Sequence, residues 1–168
     1  MKLLQLHSFP AVQGHNSRVL ILGTMPGRRS LRDGQYYAHP RNLFWKIVGG
    51  ILDFNPAGPY EDRITRLISA DIALWDVLQS CARASSMDSD IDDSTVVPND
   101  FATFFASHPH IQRVCFNGVK AEALYMRHVQ PDLSAGLRID YVRLPSTSPA
   151  NASTPLSEKE QAWKAIVL

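Results

Sequence analysis

Tyr36-Tyr37-Ala38-His39-Pro40-Arg41-Asn42-Leu43-Phe44-Trp45 is the densest run of chemistry in the chain. The adjacent tyrosines offer flat faces on which a heterocycle can stack. Arg41 can meet a phosphate, and the Asn42 amide carries one acceptor and two donor sites. A purely structural role would make Asn42 a helix cap and put Phe44 and Trp45 in the core. For the two aromatics the core role is preferred. Asn42, beside two tyrosines and a glycine turn, is read as functional.

Two further segments are candidates. Gly23-Thr24-Met25-Pro26-Gly27 lets backbone approach a ligand closely, because Gly has no Cβ to obstruct it. It is not a P-loop, which needs four residues between its glycines and then Lys; here there are three, followed by Arg28. The dinucleotide pattern GxGxxG is also absent. Leu144-Pro145-Ser146-Thr147-Ser148-Pro149-Ala150-Asn151-Ala152-Ser153 offers hydroxyls and backbone N–H groups to phosphate oxygens, on a loop stiffened by proline. No nucleophile elbow such as GxSxG accompanies its serines. The six histidines and two cysteines show no metal-ligand spacing, so no metal and no cofactor is assigned. His108-Pro109-His110 is expected to be a structural turn, and Lys46 and Lys120 give no sign of Schiff-base chemistry.

The elements that must position these segments are legible as buried strands alternating with helices. Arg18–Gly23, Ile72–Val77, Ile111–Phe116 and Leu137–Leu144 are apolar, β-branched runs suited to a parallel sheet. Leu43–Leu52 and Glu61–Ala70 carry helical apolar spacing. Another helix is expected to open near Pro98 or Asn99 and run through Phe105, and a further one to follow Asn117-Gly118. Ser157 with Glu160 suggests a capping box for a terminal helix. Thr24–Pro40 is expected to be a long loop, and the acidic, serine-rich Ser85–Ser94 a solvated surface loop. Alternation of this kind implies a parallel sheet covered on both faces, with the ligand site at the carboxyl ends of its strands. That rule points to Gly23–Asn42, Asn117–Gly118 and Pro145–Asn151.

Composition narrows the function classes. A chain of 168 residues, 45% hydrophobic and 20% charged, is expected to be a single folded domain spanning 1–168. With 17 Lys+Arg against 16 Asp+Glu the net charge is +1, which excludes a polycation but permits a local basic face. No apolar run approaches the roughly 20 residues that cross a bilayer, so no membrane association is expected. The opening Met1–His7 is too short in apolar residues for a signal peptide. Cys81 and Cys115 cannot form a disulfide framework, and a reducing cytoplasm fits.

LILGTMPGRRSL (20–31), QYYAHPRNLFWKI (35–47), LWDVLQSC (74–81), CFNGVKA (115–121) and LPSTSPAN (144–151) together resemble the uracil-DNA glycosylase superfamily, in its hypoxanthine-DNA glycosylase branch. They occur in the family's order and span nearly the whole chain; the tyrosine-to-tryptophan motif is the most specific. The resemblance implies an α/β fold, a three-layer α/β/α sandwich around a four-stranded parallel sheet. It implies a monofunctional, metal-independent glycosylase that removes hypoxanthine, with uracil or xanthine as further substrates, from duplex or single-stranded DNA, acting as a monomer. Many members carry a catalytic Asp or Asn in the glycine turn, where this chain has Met25. The resembled branch uses the Asn of the YYAHPRN motif, which falls on Asn42. Other members begin the last motif with His or Asn, where this chain has Leu144, so Asn42 must carry more of the work. On this basis Tyr37 stacks on a flipped base, and Gly23, Thr24, Met25 and Pro26 line its pocket. Asn117 reads a base edge. Arg28, Arg29, Arg41, Ser146, Thr147, Ser148, Pro149, Ala150 and Asn151 meet the DNA. Two other classes stay open at this point: a nucleoside or nucleotide N-glycosidic hydrolase using the same pocket, and a non-catalytic module that binds damaged DNA.

Overall fold

The computed structural model describes residues 4–168, so Met1, Lys2 and Leu3 of the opening segment lie outside the described residues. The chain runs β1 (Leu4–His7), β2 (Val19–Gly23), α1 (Arg28–Asp33), α2 (Phe44–Leu52), α3 (Tyr60–Ser69), β3 (Ile72–Asp76), β4 (Leu78–Arg83), β5 (Ile91–Pro98), α4 (Phe101–Ser107), β6 (Arg113–Asn117), α5 (Val119–His128), β7 (Asp140–Leu144) and α6 (Leu156–Trp163).

The expected four-stranded sheet is present, all parallel, in the order β3-β2-β6-β7. The inner strand β2 is apolar throughout because both its faces are covered, whereas the edge strand β7 carries exposed Asp140 and Arg143; the period-two alternation sorts the inward side chains between two layers. Leu20, Leu22, Ala73, Val114 and Phe116 pack with Phe101, Phe104, Phe105, Leu124 and Tyr125 of α4 and α5. Val19, Ile21, Ile72, Leu74 and Cys115 pack with Phe44, Trp45, Ile47, Leu67 and Trp163 of α2, α3 and α6. The three-layer α/β/α arrangement follows from that alternation.

Several expectations are corrected at the level of elements. β1, β4 and β5 form an additional antiparallel sheet, with β4 in the middle. Ser85–Ser94 is therefore not simply a solvated loop: Asp88–Asp90 makes a 3-10 turn and Ile91, buried in the core, opens β5. The Thr24–Pro40 loop contains α1, which ends at Gly34 in the left-handed conformation (φ 65°). β7 begins at Asp140 rather than Leu137. α4 is capped by Asp100, whose side chain accepts from the Thr103 N–H, not by Asn99 or Pro98. α6 begins at Leu156 after Pro155 and has no side-chain cap, so Ser157 and Glu160 form no capping box. His108 takes its structural place: it is buried, stacks on Phe104, and its Nδ1 lies 2.8 Å from the Phe104 carbonyl oxygen. No helix among the described residues is long and apolar enough to cross a membrane.

Candidate active site

The carboxyl ends of the parallel strands open into one cavity of about 960 Å³, within the usual range for small-molecule sites. Gly23, Thr24, Met25 and Pro26 enter it from the end of β2, and Asn117 from the end of β6. Tyr37, Arg41 and Asn42 reach it from the segment before α2, and Arg28 and Arg29 from α1. Ser146, Thr147, Ser148, Pro149, Ala150 and Asn151 reach it from the loop after β7. Residues as far apart in sequence as 23 and 151 thus share one enclosure.

The tyrosine segment is pinned from behind. The Trp45 indole N–H donates to the Tyr36 carbonyl at 2.8 Å, the Tyr36 hydroxyl to the Pro10 carbonyl at 3.0 Å, and the Ala38 N–H to Ser30 Oγ at 3.1 Å. Tyr37 itself adopts a left-handed backbone (φ 53°), which turns its ring toward the cavity side. One face of that ring is covered by Phe44, stacked at 4.1 Å and 19°. Only the other face is left to meet a ligand. Burial pushes the phenol well above its ordinary pKa, helped by the neighbouring Asp76 charge, so it stays a neutral hydroxyl.

Asn42 is not the cap of α2, whose N-cap is Leu43 without a side-chain bond. Its Oδ1 accepts from the Phe44 N–H at 2.9 Å in a local turn just before the helix. With the oxygen held, the amide orientation is fixed, and Nδ2 has no partner among the described residues. A preorganised donor at the cavity wall is the result.

The Ser/Pro loop is built differently. Thr147 is fully buried: its N–H donates to Asn117 Oδ1 and its Oγ1 accepts from Asn117 Nδ2, both at 2.9 Å, while its carbonyl accepts from the Leu43 N–H. Ser146 Oγ accepts from the Ser148 N–H, and Ser148 Oγ from the Ala150 N–H. Asn151 Nδ2 returns to the Ser146 carbonyl, and the buried Lys159 ammonium donates to the Asn151 carbonyl at 2.7 Å. The backbone N–H groups foreseen for phosphate are thus largely spent on holding the loop. Thr147 faces inward. Asn117 spends its oxygen and one amide hydrogen on Thr147.

Of the arginines, Arg28 donates to the Ala84 carbonyl, and Arg29 pairs with Asp33 at 2.5 Å in an exposed geometry. Arg41 is exposed at the cavity mouth. Exposed pairs of this kind are worth little and exchange readily for another anion.

Sequence reasoning missed the floor. Asp76, ending β3, is 3% exposed and lines the cavity beside Gly23, its register partner. Burial pushes its carboxyl up to about 8, with the Asp88 charge adding to the rise and Arg83 opposing it. Arg83, in β4, is also buried and donates to the Pro26 carbonyl at 2.6 Å, tying the antiparallel sheet to the glycine turn. Asp88 and its neighbours Ser86, Met87 and Ser89 form a rim from the segment read as mere solvated loop. One signal could have found Asp76. It ends a parallel strand, as Gly23 and Asn117 do.

The family model described as the uracil DNA glycosylase superfamily matches residues 9–167 of the chain. A hypoxanthine DNA glycosylase of Methanosarcina acetivorans is 36% identical over 159 residues, covering 94% of this chain and 95% of that protein. A protein of the same name from Methanosarcina barkeri is 36% identical over 120 residues, covering 70% and 74%. Among solved structures, the solution NMR structure of a candidate uracil DNA glycosylase from Methanosarcina acetivorans superposes with a TM-score of 0.78 at 35% identity, covering 96% of each chain. With a match across almost its full length, and the superfamily's sheet and strand-end cavity, the chain belongs to the uracil DNA glycosylase superfamily.

Proposed function

We propose that the protein is a monofunctional DNA glycosylase that takes a deaminated base, hypoxanthine first, out of the helix and hydrolyses its N-glycosidic bond. Two similar proteins named hypoxanthine DNA glycosylase support the substrate. The observation that carries the reading is the convergence of Asn42, Tyr37 and the glycine turn on one cavity at the strand ends.

The chemistry suits these groups. The base must first leave the stack, at a cost of a few kcal/mol that a mispaired base lowers. The open face of Tyr37 receives it. Cleavage passes through an oxocarbenium-like sugar, which even water attacks when well placed. Water adds at C1′ and releases a proton to solvent. The C1′–N bond breaks with its electron pair going to the base, which leaves as the neutral purine after taking up a proton. Asn42 cannot titrate, so it is no general base. Its Nδ2 donates a hydrogen bond to the departing purine, where negative charge develops. Uracil and xanthine are further candidate substrates, because both present the same adjacent ring N–H and carbonyl. Arg28, Arg29, Arg41 and the outer face of the Pro145–Asn151 loop meet phosphates, and Pro149 and Ala150 enter the vacated stack. We place the enzyme in the cytoplasm, acting as a monomer.

Labelled duplexes and single strands carrying deoxyinosine, deoxyuridine or deoxyxanthosine, treated with the protein and then with alkali, test this directly. Strand breaks at deoxyinosine are the expected result. Release of base from free deoxyinosine alone would instead make the protein a nucleoside hydrolase. Tight binding to lesions without release would make it a binding module.

A further inference from the structure

The inward face of α6 carries two long side chains one helical turn apart, Lys159 and Trp163, which are 2% and 0% exposed. Both bond the loop after β7, one at each end. The Trp163 indole N–H donates to the Pro145 carbonyl at 2.9 Å, and the Lys159 ammonium to the Asn151 carbonyl at 2.7 Å. Asn151 then closes the span on itself, its Nδ2 donating to the Ser146 carbonyl at 3.1 Å. Between these anchors Ser148, Pro149 and Ala150 form a tip at the cavity rim, with Ala150 exposed. None of the described residues lining the cavity belongs to α6. The tip is carried from behind.

The two anchors differ in kind. Trp163 belongs to the core for its ring alone, which meets Phe44 edge-on at 5.7 Å. Lys159 has no such reason to be inside. It takes part in no ion pair among the described residues, and its neighbours Glu158 and Glu160 are exposed. Burying a charge without a carboxylate is costly, and a methionine would fill the same space without that penalty. What the ammonium adds is one charge-assisted hydrogen bond to the main chain of the loop, about twice as strong as a neutral one. Resting on the reading of Pro149 and Ala150 as the groups that enter the vacated stack, we propose that Lys159 is a positioning residue for duplex opening, its bond to the Asn151 carbonyl holding the outgoing limb of the loop so that the tip meets the helix already ordered. A tip free to recede must be ordered as it enters the stack, and the contact is weakened by that cost. A single strand has no paired stack to part and makes no such demand.

The test is single-turnover release of hypoxanthine from a duplex and from the same deoxyinosine strand unpaired, expressed as a duplex-to-single-strand ratio of rates. Lys159→Met keeps the length and removes the donor. It is expected to lower the ratio by about 10-fold, the worth of one hydrogen bond to a charged group, with a single-strand rate near wild type. A second variant leaves the lysine in place. Lactic acid in place of Ala152 turns the Asn151 carbonyl from amide to ester, a weaker acceptor, and the N–H so removed makes no hydrogen bond among the described residues. The ester is expected to lower the ratio in the same direction, by roughly 3-fold. Lys159→Met combined with Pro149→Gly should cost the duplex rate less than the product of the separate losses, because both act on one tip.

A merely structural lysine behaves otherwise. Rates on the two substrates would then fall together, in step with the melting temperature. Phe105→Leu, in the opposite layer of the core, supplies that control and should leave the ratio unchanged. An unchanged ratio in either variant, parallel losses on both substrates, or losses that multiply with Pro149→Gly would overturn the proposal while leaving the glycosylase reading intact. So would a wild type active on single strands alone. Should Lys159→Met not fold, the ester decides by itself. A wild-type protein that releases no base from either substrate would end both.

Discussion

The two walls of the cavity are built on opposite principles. Along the Pro145–Asn151 loop the polar groups are paired: Thr147 with Asn117, Ser146 with Ser148, Ser148 with Ala150, and Lys159 with the Asn151 carbonyl. On the floor, Thr24 Oγ1, Tyr37 Oη and Asp76 Oδ2 are buried with no hydrogen-bond partner among the described residues. Each unpaired buried group costs about 1–3 kcal/mol, so a fold keeps such atoms only where something else selects for them. Rigidity belongs to the first wall and recognition to the second. Asn42 stands between them, with its oxygen committed to Phe44 and its nitrogen free among the described residues.

Breaking the residue between the walls should have the largest effect. Asn42→Ala is expected to lower single-turnover base release by about 100-fold or more while binding to DNA persists, since one preorganised polar group is worth that much in a transition state. The bond from the Phe44 N–H goes with it, at about 1 kcal/mol, so the melting curve must be recorded alongside the rate. Rates like wild type in that variant would remove Asn42 from the chemistry.

The paired wall should answer in stability instead. Thr147→Val keeps the shape but strands Asn117 Nδ2, and is expected to cost about 1–3 kcal/mol of unfolding free energy by chemical denaturation. An unchanged stability there would mean that the loop is not held as its hydrogen bonds indicate.

On the floor, substitution of Tyr37 should separate ring from hydroxyl. Tyr37→Ala is expected to weaken capture of a lesion by roughly 1–3 kcal/mol, with little change on intact duplex, because only a flipped base can use the stacking face. Tyr37→Phe keeps the stacking ring, so its effect on capture should be smaller than that of Tyr37→Ala. Affinities for matched lesion and intact duplexes give both answers, and equal damage from the two substitutions would transfer the role to the hydroxyl.

The smallest effects belong to the rim. Arg28→Ala or Arg29→Ala should flatten the dependence of log affinity on log salt by about 0.9 for each phosphate no longer neutralised, equally on lesion and intact DNA. A slope that does not change in either variant would put the DNA on another face.

How much of this was legible depended on which residues lie at strand ends and which are buried against type. Val19–Gly23 and the Val114-Cys115-Phe116 centre of Arg113–Asn117 could be read directly, because strands covered on both faces carry apolar residues on each. The same logic placed Gly23, Asn117 and the Pro145–Asn151 loop together at the carboxyl ends. The antiparallel sheet was illegible for the opposite reason. Its middle strand is Leu78-Gln79-Ser80-Cys81-Ala82-Arg83, and Arg83 is 1% exposed although an arginine ordinarily signals surface. The strand following the acidic turn carries Asp92, Asp93 and Ser94, which disguise it as solvated chain. Asp76 was hidden by type as well. A carboxylate at a strand end looks solvated until the fold shows what surrounds it.

At Gly23 the backbone φ is not in the left-handed region, so the main chain would accept any residue. What forbids one is the 2.6 Å and 2.7 Å approach of Asp76 and Tyr37 to the place a side chain would start. The depth of the receptacle is thus set by a single hydrogen atom. A methyl group there would leave the sheet register untouched and raise the floor by about one carbon, shifting the size of guest the enclosure accepts. Such a position is a volume dial: one codon away from a shallower chamber, with only the two floor side chains obliged to give way.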